Sequence, residues 1–125
     1  MYSHVMVGTN DLDASIKFYN ATFAALGYGP ATVDPKGRAF WFTPTGGFAV
    51  TKPINGEPAS AANGGTIGFA VESTDQADAW HAAGVANGGT AIEDAPGVRE
   101  MPGFKMYLAY LRDPAGNKIC VMKRL

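Results

Sequence analysis

Two kinds of hydrophobic periodicity alternate along this chain, and the alternation runs through twice. Over residues 2–7 apolar and polar positions follow each other with a period of two, which predicts a strand with His4 and Met6 on one side and Val5 and Val7 on the other. Thr9-Asn10-Asp11 then supplies helix-capping side chains. Leu12, Ile16, Tyr19, Phe23 and Leu26 recur at spacings of three and four, predicting an amphipathic helix that Gly27 stops. A weak strand over residues 28–33, a turn at Asp34-Pro35-Lys36-Gly37 and strands over 38–42 and 47–51 complete the first pass. The second pass predicts a strand over 66–71, a cap at Ser73-Thr74-Asp75 and a helix carrying Ala77, Trp80 and Val85. A short strand over 90–93 follows, then a Pro- and Gly-bounded loop over 96–103 and strands over 106–111 and 118–122.

The two passes superpose. At an offset of 62, His4 falls on Thr66, Val5 on Ile67, Val7 on Phe69 and Phe18 on Trp80. At an offset of 70, Pro44 falls on Pro114 and Gly46 on Gly116. The pattern is an internal duplication. It defines one domain over residues 1–125, with a first module over about 1–53, a polar linker rich in Pro, Gly, Ser and Asn over about 54–65, and a second module over about 66–125. The expected fold class is α+β: two tandem βαβββ modules forming a curved mixed sheet with a cleft, helices outside.

Composition narrows the function classes. The net charge is −1 and no basic run is present; Lys123-Arg124 is too short for a polyanion patch, so nucleic acid is not an expected partner. A single cysteine excludes an intramolecular disulfide framework and fits a reducing compartment. No basic leader and no long apolar run is seen, so neither signal peptide nor membrane span is expected and the expected location is cytoplasmic.

Two segments carry a family likeness. Ser3-His4-Val5-Met6-Val7 runs into Asn10-Asp11-Leu12 and Phe18-Tyr19, and the chain closes on Arg112-Asp113-Pro114-Ala115-Gly116-Asn117-Lys118-Ile119. In these the chain resembles the vicinal oxygen chelate superfamily of glyoxalases, bleomycin-resistance proteins and extradiol dioxygenases. The resemblance implies four cleft-facing metal-ligand positions, on the first and last strand of each module, held by His or Gln and by Glu. His4 matches. Its partner by the repeat is Thr66, and the last-strand positions hold Cys120 and, by the offset of 70, Val50. Two donors, His4 and Cys120, fall short of the three protein ligands that a Lewis-acid metal needs.

By strand alternation and the repeat, the cleft floor is expected to carry His4, Met6, Phe48, Val50, Thr66, Gly68, Cys120 and Met122, with Ala70, Lys52 and Lys118 on the same face. Phe104 and Tyr110 are the first candidates for its walls, with Trp41 or Phe42 and Tyr107 as others. The loop from Ala95 to Phe104 is expected to act as a lid, and Arg38, Arg99, Lys105 and Arg112 are candidates for a ligand's acidic group. The expected function is a small-molecule-binding protein, most simply a homodimer, holding an apolar or aromatic ligand without a cofactor. A metal-dependent glyoxalase-like lyase or isomerase, with a divalent ion on His4 and Cys120, is one alternative. A dimeric structural or regulatory module is the other.

Overall fold

The computed structural model describes residues 1–125. Its elements are β1 (His4–Gly8), α1 (Leu12–Ala25), β2 (Thr32–Val33), β3 (Ala39–Thr43), β4 (Gly46–Thr51), β5 (Ile67–Ala70), α2 (Thr74–Ala86), β6 (Thr90–Ala91), β7 (Gly97–Met101), β8 (Phe104–Arg112) and β9 (Lys118–Arg124). No helix is long and apolar enough to cross a membrane.

Each module builds its sheet in the same way. The first strand lies parallel to the last, β1 on β4 and β5 on β9, and the last pairs antiparallel with the strand before it. The sheets are four-stranded, β1-β4-β3-β2, and five-stranded, β5-β9-β8-β6, with β7 on the edge of β8 beside β6. They are not joined by a β1–β5 ladder, so the expected single curved sheet is two sheets held together by packing.

One core fastens them. Val5, Val7, Trp41, Phe48 and Val50 of the first sheet and Ile67, Phe69, Leu111, Ile119 and Val121 of the second pack with both helices. The positions paired by the offset of 62 behave alike: Phe18 and Trp80 are both fully buried, on α1 and α2 respectively. The helices pack against each other, and Gly84 of α2 sits against Phe18 and Thr22 of α1. A Cβ there would run into Leu111 Cδ1 and come within 3.2 Å of Phe18 Cε2. Both helices start as the sequence predicts. Asp11 accepts from Ala14 N at 3.1 Å, and Ser73 accepts from Gln76 N at 3.1 Å.

The terminal Asp-Pro-Ala-Gly-Asn turn ties one module to the other. The buried Asp113 carboxylate accepts from Ala115 N and Asn117 N at 3.0 and 2.8 Å, shaping the turn. Its other oxygen accepts from Tyr19 Oη on α1 at 2.7 Å and from Asn117 Nδ2 at 2.9 Å. Asn117 Nδ2 also donates to the Gly8 carbonyl at the end of β1, at 3.1 Å. The frame that carries the family likeness is thus a fastener built of satisfied buried polar groups.

One expected feature is absent. The segment expected as a mobile lid forms strand β7, hydrogen-bonded along β8 from Gly97↔Leu108 to Met101↔Phe104. Pro102-Gly103 between them is a hairpin turn with Gly103 at φ 87°, so the glycine serves the turn rather than a hinge.

Candidate functional site

Strand register decides which side chains share a surface, because side chains alternate between faces with a period of two. On the first sheet Val5↔Phe48 and Val7↔Val50 face the helices, whereas His4↔Gly47 and Met6↔Ala49 face away, together with Phe40 and Phe42. On the second sheet Gly68↔Cys120 and Ala70↔Met122 face away from the helices, with Leu108, Tyr110, Lys118 and Phe104 on that same side. Seven of the ten candidate residues therefore lie on the helix-free faces: His4 and Met6 on one sheet, and Gly68, Phe104, Tyr110, Cys120 and Met122 on the other. Thr66 stands just before β5, exposed and outside the ladder.

Val50 is a correction: it belongs to the helix-facing core at 0% exposure. Phe48, 5% exposed, also packs on the helix side and from there reaches the cavity between β1 and β5. The residue that stands where Cys120 stands is Ala49, at a spacing of 71 rather than 70. The turn between Arg112 and Lys118 is one residue longer than the turn between Phe42 and Gly47. The repeat therefore slips by one after Gly46 and Gly116, and a slip of one exchanges the faces. Among the other wall candidates Trp41 is core and Tyr107 donates to Asp78 of α2 at 2.7 Å, while Phe42 lies on the helix-free face.

A cavity of about 310 Å³ opens at the seam between β1 and β5. Phe23, Tyr28, Trp41, Phe48 and Phe69 form its apolar wall, and of the candidates His4, Phe48 and Gly68 reach it. Cys120, Tyr110 and Met122 do not.

The donor chemistry of the faces is sparse. His4 is exposed, and its Nδ1 lies 2.8 Å from the Ser3 hydroxyl. Cys120 is 7% exposed, and burial holds its thiol above the ordinary cysteine range despite the nearby Lys118 ammonium. Gly68 opens the strand above this sulfur, since a Cβ at Gly68 would lie 3.2 Å from Sγ. Tyr110, the cross-strand neighbour of Cys120, is likewise pushed up, first by burial and then by Cys120 and Glu93. No group of three or more His, Cys, Asp or Glu side chains comes together anywhere in the chain. The residues present do not fit the divalent-metal site that the family likeness implies. Ala49 offers no donor and Thr66 a weak one, which leaves His4 and Cys120, on separate sheets, as the two strong donors, short of three protein ligands.

Four cations were candidates for an acidic ligand group. Arg38 is bound to Asp34, and Lys105 pairs with Glu100 on the other side of β8. Arg99 donates to the carbonyls of Asp94 and Ala95, and Arg112 to that of Gly116. The ion pair Lys118–Glu93, at 2.7 Å, was not anticipated. Glu93 lies in the break between β6 and β7, and no local pattern in the sequence couples it to β9.

The sequence profile of the Glyoxalase/Bleomycin resistance protein/Dioxygenase superfamily matches residues 2–121. The chain belongs to this superfamily. It is similar to a glyoxalase/bleomycin resistance protein from Albidiferax ferrireducens T118, with 56% identity over 98% of each chain and a TM-score of 0.94. The fold is also that of a glyoxalase/bleomycin resistance protein/dioxygenase family enzyme from Burkholderia phytofirmans PsJN, at 21% identity, 98% of each chain and TM-score 0.73. A lactoylglutathione lyase from Agrobacterium tumefaciens shares it too, at 23% identity, 98% of this chain, 92% of the other and TM-score 0.67. No match was found among curated proteins.

Proposed function

We propose that this chain is a small-molecule-binding member of the superfamily that takes a small apolar or aromatic ligand and works without a complete metal site. The observation that carries the reading is the content of the helix-free faces. They hold two donors, His4 and Cys120, on separate sheets, amid Met6, Phe42, Tyr110 and Met122. Such a surface favours contact with an apolar ligand over Lewis-acid chemistry. Exposure of Met6, Phe42 and Met122 supports a homodimer in which a second copy covers these faces. The single free cysteine supports a cytoplasmic location.

The test is metal analysis of protein purified without chelators, alongside thermal-shift screens with nickel, zinc, manganese and a panel of aromatic compounds. The expected result is no stoichiometric metal, no shift with any ion and stabilisation by one or more aromatic ligands. A stoichiometric metal that disappears in His4→Ala would overturn the reading in favour of a glyoxalase-like lyase or isomerase. Stabilisation by no ligand at all would favour a dimeric regulatory module.

A further inference from the structure

The two helix-free faces differ in charge. On the first sheet that face consists of His4, Met6, Gly8, Phe40, Phe42, Gly47, Ala49, Thr51 and Thr32, with no lysine, arginine or carboxylate among them. On the second, Arg99 and Arg124 flank Met106 in one cross-strand row, and Arg112 faces Lys118 in another. The rows between them are apolar, Leu108 beside Met122 and Tyr110 beside Cys120. No strand residue of this face is acidic, and Glu93 is the carboxylate that reaches it, by its pairing with Lys118.

Lys118 is set into the face rather than extended into water. Its side chain is 28% exposed, its Nζ lies 2.7 Å from Glu93 Oε2, and the same atom is 5.1 Å from the centre of the Tyr110 ring. Glu93 is the one non-glycine residue with positive φ, at 58°, a conformation such residues rarely adopt. The chain thus holds a carboxylate against Lys118 through an unfavourable backbone geometry. Two residues after Lys118, on the same face of β9, stands Cys120, which pairs with Gly68 to make a floor.

We propose that Lys118 anchors the acidic group of the ligand, which makes that ligand an amphiphilic monocarboxylate whose apolar body lies across Gly68, Cys120 and Met122. The proposal rests on the small-molecule-binding reading above and names its ligand class. From Lys118 to Met122 the strand runs about 13 Å, long enough for a bicyclic arene bearing one carboxylate to lie along it. An ammonium beside an apolar floor makes a charge-assisted hydrogen bond that a neutral amide of the same shape cannot replace. Glu93 competes for that ammonium until the ligand arrives.

The test is calorimetric titration of the full chain with 2-naphthoate and with its neutral isostere 2-naphthamide. Wild type, Lys118→Met and Glu93→Gln are compared, each checked for folding by circular dichroism. Wild type is expected to prefer naphthoate by roughly ten- to a hundredfold. Lys118→Met should abolish that preference, and Glu93→Gln should increase it by removing the competitor. Equal binding of the two probes by wild type, or a preference that survives Lys118→Met, overturns the anchor and leaves the small-molecule reading standing. If Lys118→Met does not fold, Glu93→Gln decides alone: an unchanged or smaller preference overturns the proposal. Binding of neither probe at millimolar concentration overturns the anchor, and the small-molecule reading falls with it when the wider aromatic panel is also silent.

Discussion

Tyr19→Phe isolates the fastener between the modules. The substitution keeps the ring, which packs against Phe18, Phe23, Trp41 and Phe48 at centroid distances of 4.9, 5.6, 5.5 and 4.7 Å. It removes only the hydroxyl that donates to Asp113 Oδ2 at 2.7 Å. A hydrogen bond to a charged group contributes about 1.5–3 kcal/mol net. Asp113 retains three other donors, from Ala115 N, Asn117 N and Asn117 Nδ2, so the loss falls toward the lower end, about 2 kcal/mol. For a domain of this size that corresponds to a drop in Tm of roughly 6–8 °C. Urea titrations at fixed protein concentration, with m compared between variants, measure it directly. A pH series adds a second readout. Burial, then the Asp113 charge and hydrogen bond, hold the Tyr19 phenol well above its ordinary value of 10.0. The folded state therefore keeps a proton that the unfolded state releases above about pH 10. Stability from this group is complete below that pH and declines as pH rises through the folded pKa, and Tyr19→Phe should lessen the alkaline loss. A variant within about 0.5 kcal/mol of wild type, with the same alkaline decline, would refute the fastener.

Gly84→Ala should cost about 1–3 kcal/mol in chemical denaturation, because its Cβ meets Leu111 and Phe18 at the helix crossing; an unchanged midpoint would contradict that packing. Val50→Glu puts a carboxylate into the core and should lose several kcal/mol or fail to fold, whereas Met6→Glu, on the helix-free face of the neighbouring strand and 38% exposed, should remain folded; the opposite ranking in circular dichroism melts would reverse the register. Cys120, shielded and with its thiol pKa raised, should react far more slowly with a disulfide reagent at neutral pH in native protein than in urea, and equal rates would show the sulfur to be open. His81 is held below its ordinary value, chiefly by burial, so the folded state resists protonation; stability should fall as pH drops through the unfolded pKa near 6.5, and His81→Gln should lessen that fall in acid titrations.

The duplication was legible because both copies must bury the same faces. Val5 and Ile67, Val7 and Phe69, and Phe18 and Trp80 occupy equivalent core positions, and equivalent burial selects equivalent residue types. Capping was legible for the same local reason: Asp11 and Ser73 satisfy orphan amides within one turn. Strand β7 was not, since Pro and Gly at its ends read as loop punctuation while its pairing with β8 is set by a hairpin that composition alone does not specify. The separation into two sheets was also hidden, because no sequence pattern says whether β1 and β5 share hydrogen bonds.

For the site, the informative error is one residue long. Offset alignment on Pro44 and Gly46 treats the two module-closing turns as equal, but the turn in the second module is one residue longer, so every side chain after it changes face relative to the first copy. That places Ala49, not Val50, opposite Cys120 in the repeat and leaves the first sheet without any last-strand donor. The longer turn is the one that carries Asp113 and Asn117, whose bonds reach Tyr19 and Gly8. The segment that most clearly marks the family is therefore engaged in holding the modules together, and its conspicuous residues face inward to that task. Lys118, near the end of the same segment, is the first residue of β9 and lies on the helix-free face. The same short segment thus supplies both the fastener, through Asp113 and Asn117, and, two residues before Cys120, a lysine on the helix-free face.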